Sequence, residues 1–121
     1  IGISVPQAMY DDFVEICKPV KNINPDFPFE VKVANPRKRP TSTGGTDASV
    51  FAVEGVPTYG FTTDDIKGYN FSYGEIWHTE RDLYTKNIPE YQEHTAVVTA
   101  IVALGVANLD KQLSREGMYK E

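Results

Sequence analysis

Two histidines, one cysteine and a number of acids are the side chains of this 121-residue sequence that could bind a metal or carry out acid–base chemistry. His78 lies in the stretch GEIWHTERD, residues 74–82, and a neutral imidazole is a common zinc ligand. The acids nearest to it in sequence are Asp64, Asp65, Glu75, Glu80 and Asp82. A catalytic zinc normally has three protein ligands. Taken alone, His78 is therefore better interpreted as a hydrogen-bonding loop residue than as a metal ligand.

The other candidate groups favour structural roles. His94 lies in the first turns of a long predicted helix, where a surface or capping role is expected. Cys17 falls on the apolar side of another predicted helix and is expected in the core. The basic stretch PRKRP, 36–40, is predicted to be a solvated loop rather than a phosphate site. The turn TGGTD, 43–47, combines two flexible glycines with a helix start whose amides could face an anionic group.

The elements that must position these groups alternate between helix and strand. A capping-box pattern, Ser4 with Gln7, predicts a helix over 4–18. A second, short helix is predicted over 48–54, with Thr46 or Asp47 as its cap and Gly55 as its stop. Alternation of apolar and polar residues predicts an edge strand at 29–35, and 56–62 is a second, short strand. A helix of about twenty residues begins near Pro89 and is apolar nearly all round, which predicts burial on several sides.

This order predicts an α/β layer architecture. Two strands are too few to bury the last helix, so we expect a fold that is completed by further structure. The segment 63–88 shows no regular pattern but is rich in aromatic residues, which indicates an ordered, functional loop. A net charge of -5 argues against a nucleic-acid partner. Thr99, Gly105 and Asn108 interrupt the last helix too often for a membrane span.

The ordered set STGGTDASVF, EGVPTYGF and YNFSYGEIWHTERD, followed by a long apolar helix, resembles the carboxy-terminal part of the co-catalytic zinc exopeptidases. That family includes bacterial leucyl aminopeptidases, glutamate carboxypeptidase and glutaminyl cyclase. The resemblance covers about residues 42–110. It implies that residues 1–121 are the carboxy-terminal portion of one catalytic domain. The fold it implies is a partial three-layer α/β/α sandwich that lacks its amino-terminal strands and helices.

The resemblance also implies roles for individual residues. His78 corresponds to the last zinc ligand of the family, and Asp82 to an acid that anchors the liganding loop from behind. Gly44, Gly45 and Asp47 correspond to the turn that borders the substrate cleft. Trp77 stands where relatives often carry tyrosine beside the substrate, and Ala48 stands where many carry histidine, so no substrate preference is carried over.

The family's two zinc ions need further acidic and histidine ligands and a glutamate general base, and the sequence has no matching HxD or EE pair. We therefore expect no catalytic residue in this chain, and no stable zinc in it alone. The parent is expected to be a peptide-hydrolysing exopeptidase, most simply an aminopeptidase. The resemblance implies a secreted, periplasmic or lumenal location. Two alternatives remain open: a non-catalytic peptidase-like binding or dimerisation domain, and an independent small α/β interaction domain. Self-association through an exposed sheet edge is expected in the fragment.

Overall fold

The elements form a small mixed α/β domain in which short strands support two packed helices. The structure is a computed structural model that describes residues 1–120. Its strands are β1 (Gly2–Val5), β2 (Glu30–Val33), β3 (Arg37–Lys38), β4 (Phe61–Thr62) and β5 (Tyr119–Lys120). Its helices are α1 (Tyr10–Cys17), α2 (Ala48–Val53), α3 (Tyr73–Ile76) and α4 (Pro89–Ala107). Short 3-10 turns cover Gln7–Met9, Lys18–Asn22 and Tyr84–Lys86.

The main sheet has the strand order β2-β1-β4. β1 is parallel to β2, with Gly2 opposite Glu30 and Val5 opposite Val33. β4 is antiparallel to β1 and pairs through Phe61 and Thr62 only. The alternating strand predicted around residues 29–35 is confirmed, and it lies at one edge of this sheet as expected. A second, two-stranded sheet pairs β3 with β5 in parallel.

The predicted helix over 4–18 is wrong at its start. Ser4 belongs to β1, where it lies opposite Lys32, and Pro6 is extended at φ -59 and ψ 154. The chain enters a 3-10 turn at Gln7 and becomes α-helical only at Tyr10. No side-chain cap is formed there, because Ser4 is committed to the ladder with β2.

The core lies between the sheet, α1 and α4. Val5, Phe13, Val20 and Val98 are completely buried in it, and the ring of Phe13 meets Tyr59 edge-on at 5.1 Å. Cys17 is buried in the same cluster, as predicted, and this burial raises its pKa to about 11. Such a thiol is inert near neutral pH.

α4 begins at Pro89 as predicted, and the described residues bury one face of it only; burial of its other sides by structure that completes the fold stays a prediction. His94, Val98 and Val102 are spaced four residues apart and form its buried face, which packs against α1. On the other faces, Val97 is 37% exposed and Leu104 is 65% exposed. The reason is that α1 and the 3-10 turn Lys18–Asn22 pack against only one side of the helix. No helix within residues 1–120 is both long and apolar enough to cross a membrane.

α2 matches its prediction in extent, ending before Gly55, which has a φ of 72°. Its capping differs, because neither Thr46 nor Asp47 makes a side-chain cap hydrogen bond. The Oγ of Ser49 instead accepts a hydrogen bond from the backbone N–H of Gly44 at 2.9 Å. This bond closes the glycine turn back onto the first turn of the helix.

Candidate functional site

His78 lies at the end of a turn that presents its imidazole to solvent. It follows α3 and has a φ of 55°, one of two non-glycine residues with positive φ in the described chain. Its ring is exposed and meets the ring of Trp77 edge-on, with 4.5 Å between the centroids. A left-handed conformation in a residue other than glycine costs about 1–2 kcal/mol, so the surrounding turn must hold it in place.

Thr79 holds that turn. Its Oγ1 lies 3.0 Å from the carbonyl oxygens of both Glu75 and Ile76, to which it can donate, and it accepts from the backbone N–H of Arg81. Asp82 contributes its backbone N–H, which donates to the carbonyl of Thr79 at 3.2 Å. The carboxylate of Asp82 is exposed, and among residues 1–120 it takes part in no hydrogen bond or ion pair. The hydroxyl of Thr79, next to His78, therefore holds the loop in place. The threonine of the HTERD stretch could have indicated this role from the sequence.

Two aromatic side chains form an exposed pair beside His78. The rings of Tyr73 and Trp77 lie nearly parallel, at 6.1 Å between centroids and 24° between planes. Tyr73 is 65% exposed and Trp77 is 55% exposed. They lie four residues apart, on one face of the short α3 and the residue that follows it. The pair offers a flat apolar surface next to the imidazole.

The glycine turn forms a separate feature. Gly45 has a φ of 81°, so the predicted need for conformational freedom at this turn is confirmed. Gly44, Gly45 and Asp47 are all exposed. Among the described residues, no side-chain hydrogen bond, ion pair or aromatic contact joins this turn to His78. Residues 1–120 also contain no group of three histidine, cysteine, aspartate or glutamate side chains placed to hold one metal ion.

The first half of the irregular segment is organised by Asp65. Its carboxylate accepts hydrogen bonds from the hydroxyl of Tyr91 at 2.7 Å and from the backbone N–H groups of Tyr69 and Phe71 at 3.0 and 3.1 Å. The bond from Tyr91 is the main reason that the pKa of Asp65 is lowered. The prediction of an ordered rather than disordered loop is consistent with this fixed geometry.

A second set of contacts ties the same loop to the start of α4. The ammonium of Lys67 lies 2.7 Å from the carboxylate of Glu90, which also accepts a hydrogen bond from the hydroxyl of Tyr69. The hydrogen bond to Lys67 is the first reason that the pKa of Glu90 is lowered, and the same bond raises the pKa of Lys67. The Lys67 ammonium also lies 5.1 Å from the centre of the Phe27 ring.

Between this loop and α4 lies a cleft of about 890 Å³, which we call the α4 cleft. Its walls come from Phe61 of β4, residues 63–66, Phe71 and Tyr73, the turn at 86–88 and the first two turns of α4, together with Phe27 and Ile1. The lining is mainly apolar and aromatic. None of His78, Trp77, Asp82, Gly44, Gly45 and Asp47 belongs to it. The expected site residues therefore lie outside the α4 cleft.

His94 is the polar residue that the sequence placed wrongly. It is 4% exposed, lies in the wall of the α4 cleft and stacks on Phe27 at 4.7 Å and 21°. Neither ring nitrogen has a hydrogen-bond partner within the described residues, and the buried Oδ1 of Asn87 has none either. Burial lowers the pKa of His94, which favours the neutral ring. His94, Val98 and Val102 are four residues apart and therefore share one helix face. This spacing could have predicted that His94 is buried.

The basic stretch is exposed, but two of its arginines have structural partners. Arg37 donates to the carbonyl and the hydroxyl of Thr58, and its guanidinium lies 5.3 Å from the centre of the Tyr119 ring. Arg39 donates to the carbonyl of Val53 through both Nε, at 2.7 Å, and Nη2. Val53 is the last residue of α2, where a cation is favoured by the helix dipole. The stretch is therefore solvent-exposed as predicted, but it contains β3 and its arginines connect neighbouring elements.

Comparison with protein-family models, with curated proteins and with solved structures finds no match to this chain.

Proposed function

We propose that this chain is the carboxy-terminal portion of a zinc-dependent exopeptidase, in which His78 supplies one zinc ligand. The observation that carries the proposal is the conformation of His78, which holds an exposed imidazole at a φ of 55°. Strained residues of this kind cluster at functional sites. The ordered motifs around residues 42–82, described above, are the second support.

The residues present fit one part of such a centre. The imidazole of His78 makes no hydrogen bond within residues 1–120, so a nitrogen is free to bind a metal. The described chain offers no second and third ligand beside it. When bound, zinc would polarise the scissile carbonyl and lower the pKa of a bound water. Within the proposal, the other ligands and the general base come from additional sequence of the parent catalytic domain, which would also complete the α/β/α sandwich.

The contribution of this chain to substrate binding would come from the aromatic pair beside His78 and from the glycine turn. Trp77 and Tyr73 offer stacked, exposed rings against which an apolar part of a peptide can pack. Gly44 and Gly45 allow a peptide backbone to come close because they have no side chain. Asp47 is exposed at the start of α2. Its negative charge is suited to a free peptide amino group, which agrees with aminopeptidase activity.

Activity measurements with two proteins test the proposal. The purified 121-residue chain, supplied with zinc, should not hydrolyse aminoacyl anilides. The full-length encoded polypeptide should hydrolyse them in a manner that chelators abolish. In that polypeptide, His78→Ala should abolish activity and lower the number of zinc ions bound per chain. Glu80→Ala changes an exposed neighbour in the same loop and should leave both quantities unchanged. Full activity and unchanged zinc content after His78→Ala would refute the role of His78.

The same experiment separates the two alternative functions. A full-length polypeptide that is folded but binds no zinc would support the non-catalytic binding or dimerisation domain. A chain that is complete at 121 residues, and that unfolds cooperatively as a monomer, would support the small interaction domain. Self-association through β2 is a further expectation, measurable by size-exclusion chromatography with light scattering. The exposed Lys32–Glu30 ion pair on that edge, at 3.3 Å, opposes it, since charged edge strands pair poorly with other copies.

A further inference from the structure

We propose that the α4 cleft is a binding site for an uncharged aromatic molecule that carries an amide. The cleft includes neither His78 nor Trp77 and shares only Tyr73 with the proposed peptide-binding surface, so this inference goes beyond the proposed exopeptidase function and does not rest on it. The volume of about 890 Å³ lies in the range of clefts that hold small organic ligands.

The walls of the cleft select an aromatic ligand. Phe61, Ile66 and Phe71 line it, and Tyr91 lies edge-on to Phe27 at 5.8 Å between centroids. Phe71 and Ile66 are 36% and 39% exposed, so apolar surface is open to a ligand. Such walls favour a planar apolar body that can pack edge-on or offset against the rings.

The unpartnered polar atoms select the amide. A neutral imidazole has one donor nitrogen and one acceptor nitrogen, and both nitrogens of His94 lack partners among the described residues. The buried Oδ1 of Asn87 is an acceptor in the same condition, and Asn87 lines the same cleft. Buried polar groups are nearly always hydrogen-bonded. An amide supplies what these atoms lack, namely a carbonyl oxygen for a donor and an N–H for an acceptor. Within the proposal, the imidazole turns its edge toward the ligand on binding, because both of its nitrogens are buried in the unliganded chain.

The charges around the cleft disfavour an anionic ligand. Asp64 and Asp65 belong to its wall, and the Asp65 carboxylate is held in its charged form by its hydrogen bonds, so an anion is repelled. The Lys67 ammonium over the Phe27 ring is paired with Glu90, and Lys86 at the rim lies 3.7 Å from Glu75, so neither lysine offsets this repulsion. An uncharged amide avoids it.

Titration of benzamide into the 121-residue chain tests the site, with the ring signals of labelled histidine observed by NMR. The chain has two histidines, so His78 is an internal control that lies outside the cleft. We expect a saturable shift of the His94 signals, no shift of His78, and a single binding site by calorimetry. Benzoate and benzylamine, which lack the amide, and acetamide, which lacks the ring, should bind about tenfold more weakly or not at all.

Two variants complete the test. His94→Leu should weaken benzamide binding about tenfold while circular dichroism remains unchanged, because the hydrogen-bonding partner is lost. If His94→Leu does not fold, Phe71→Ala removes a partly exposed wall and should weaken binding to a similar extent without affecting the core. Equal shifts of both histidines, benzoate binding as tight as that of benzamide, or unchanged affinity in the variant that folds would each overturn the proposal.

Discussion

Replacing Gly105 by alanine should destabilise the protein, although alanine is the better helix former. Gly105 lies in α4 where this helix crosses α1. A Cβ atom built on it would overlap the Cγ2 methyl of Ile16, and would lie 3.0 Å from Cγ1 and 3.1 Å from Cβ of the same side chain. Ile16 is branched at Cβ, so these atoms cannot swing away as the end of a long side chain would.

Two opposing effects determine the size of the change. Alanine in place of glycine inside a helix is favourable by about 1 kcal/mol. Forcing an extra methyl group into a packed contact costs about 1–3 kcal/mol. We expect the second effect to prevail and the free energy of unfolding to fall by about 1 kcal/mol. For a chain of this size the melting temperature should fall by roughly 3–6 °C.

Urea denaturation of four proteins measures this balance: the parent chain, Gly105→Ala, Ile16→Ala and the double variant. With Ile16 truncated the overlap disappears, so Gly105→Ala should then stabilise the protein by about 1 kcal/mol. Ala100→Gly, at an exposed position of the same helix, calibrates the propensity effect. A Gly105→Ala variant that is more stable than the parent chain, or equal effects in both backgrounds, would refute the close contact between α1 and α4.

Three further predictions concern titration and loop order. Burial lowers the pKa of His94, so as the pH falls the unfolded chain binds a proton at this histidine before the folded chain does. The contribution of the buried, neutral His94 to stability is therefore present above about pH 6.5 and is lost below it. The difference between the parent chain and His94→Leu in urea titrations should show this slope, at most about 1.4 kcal/mol per pH unit, and a pH-independent difference would contradict it. Cys17 should react with a thiol reagent at pH 8 about a hundredfold more slowly in the native state than in urea, and equal rates would contradict its burial. Asp65→Ala should make the segment 63–72 several-fold more sensitive to limited proteolysis than Asp64→Ala does, because only Asp65 accepts hydrogen bonds from the loop and from Tyr91; equal sensitivity would count against its role as an anchor.

Elements with a long, periodic pattern or a strong boundary residue could be predicted from the sequence. Pro89 marks the start of α4 correctly, and Gly55 marks the stop of α2. β1 could not be predicted in the same way, because its four residues are too short to show alternation and Ser4 also fits a helix cap. Its extended conformation is decided by pairing with β2, whose ladder partners are more than twenty residues away.

The candidate sites divide along the same line. The His78 turn is local, so its threonine and aromatic neighbours are visible in one stretch of sequence. The α4 cleft combines Phe27, Phe61, Phe71 and His94, which are far apart in the chain and meet only after the sheet and α4 have packed. No pattern in a single segment announces such a cleft. Helical spacing was able to indicate that His94 is buried, but not that its nitrogens would lack partners.

The pairing of β3 with β5 has a consequence for the order in which the protein folds. Arg37 lies opposite Tyr119, so this two-residue ladder closes a loop of about eighty residues. It is held by the Arg37 guanidinium against the Tyr119 ring and by the Tyr119 hydroxyl, which donates to the carbonyl of Val56 at 3.2 Å. Closing so large a loop costs conformational entropy, and the ladder has few contacts to offset that cost. We therefore expect the ladder to form after the core during folding and to open before the core during unfolding. Its amides should accordingly exchange hydrogen through local opening, at rates that do not follow global stability, while those of β1 exchange only when the whole domain unfolds.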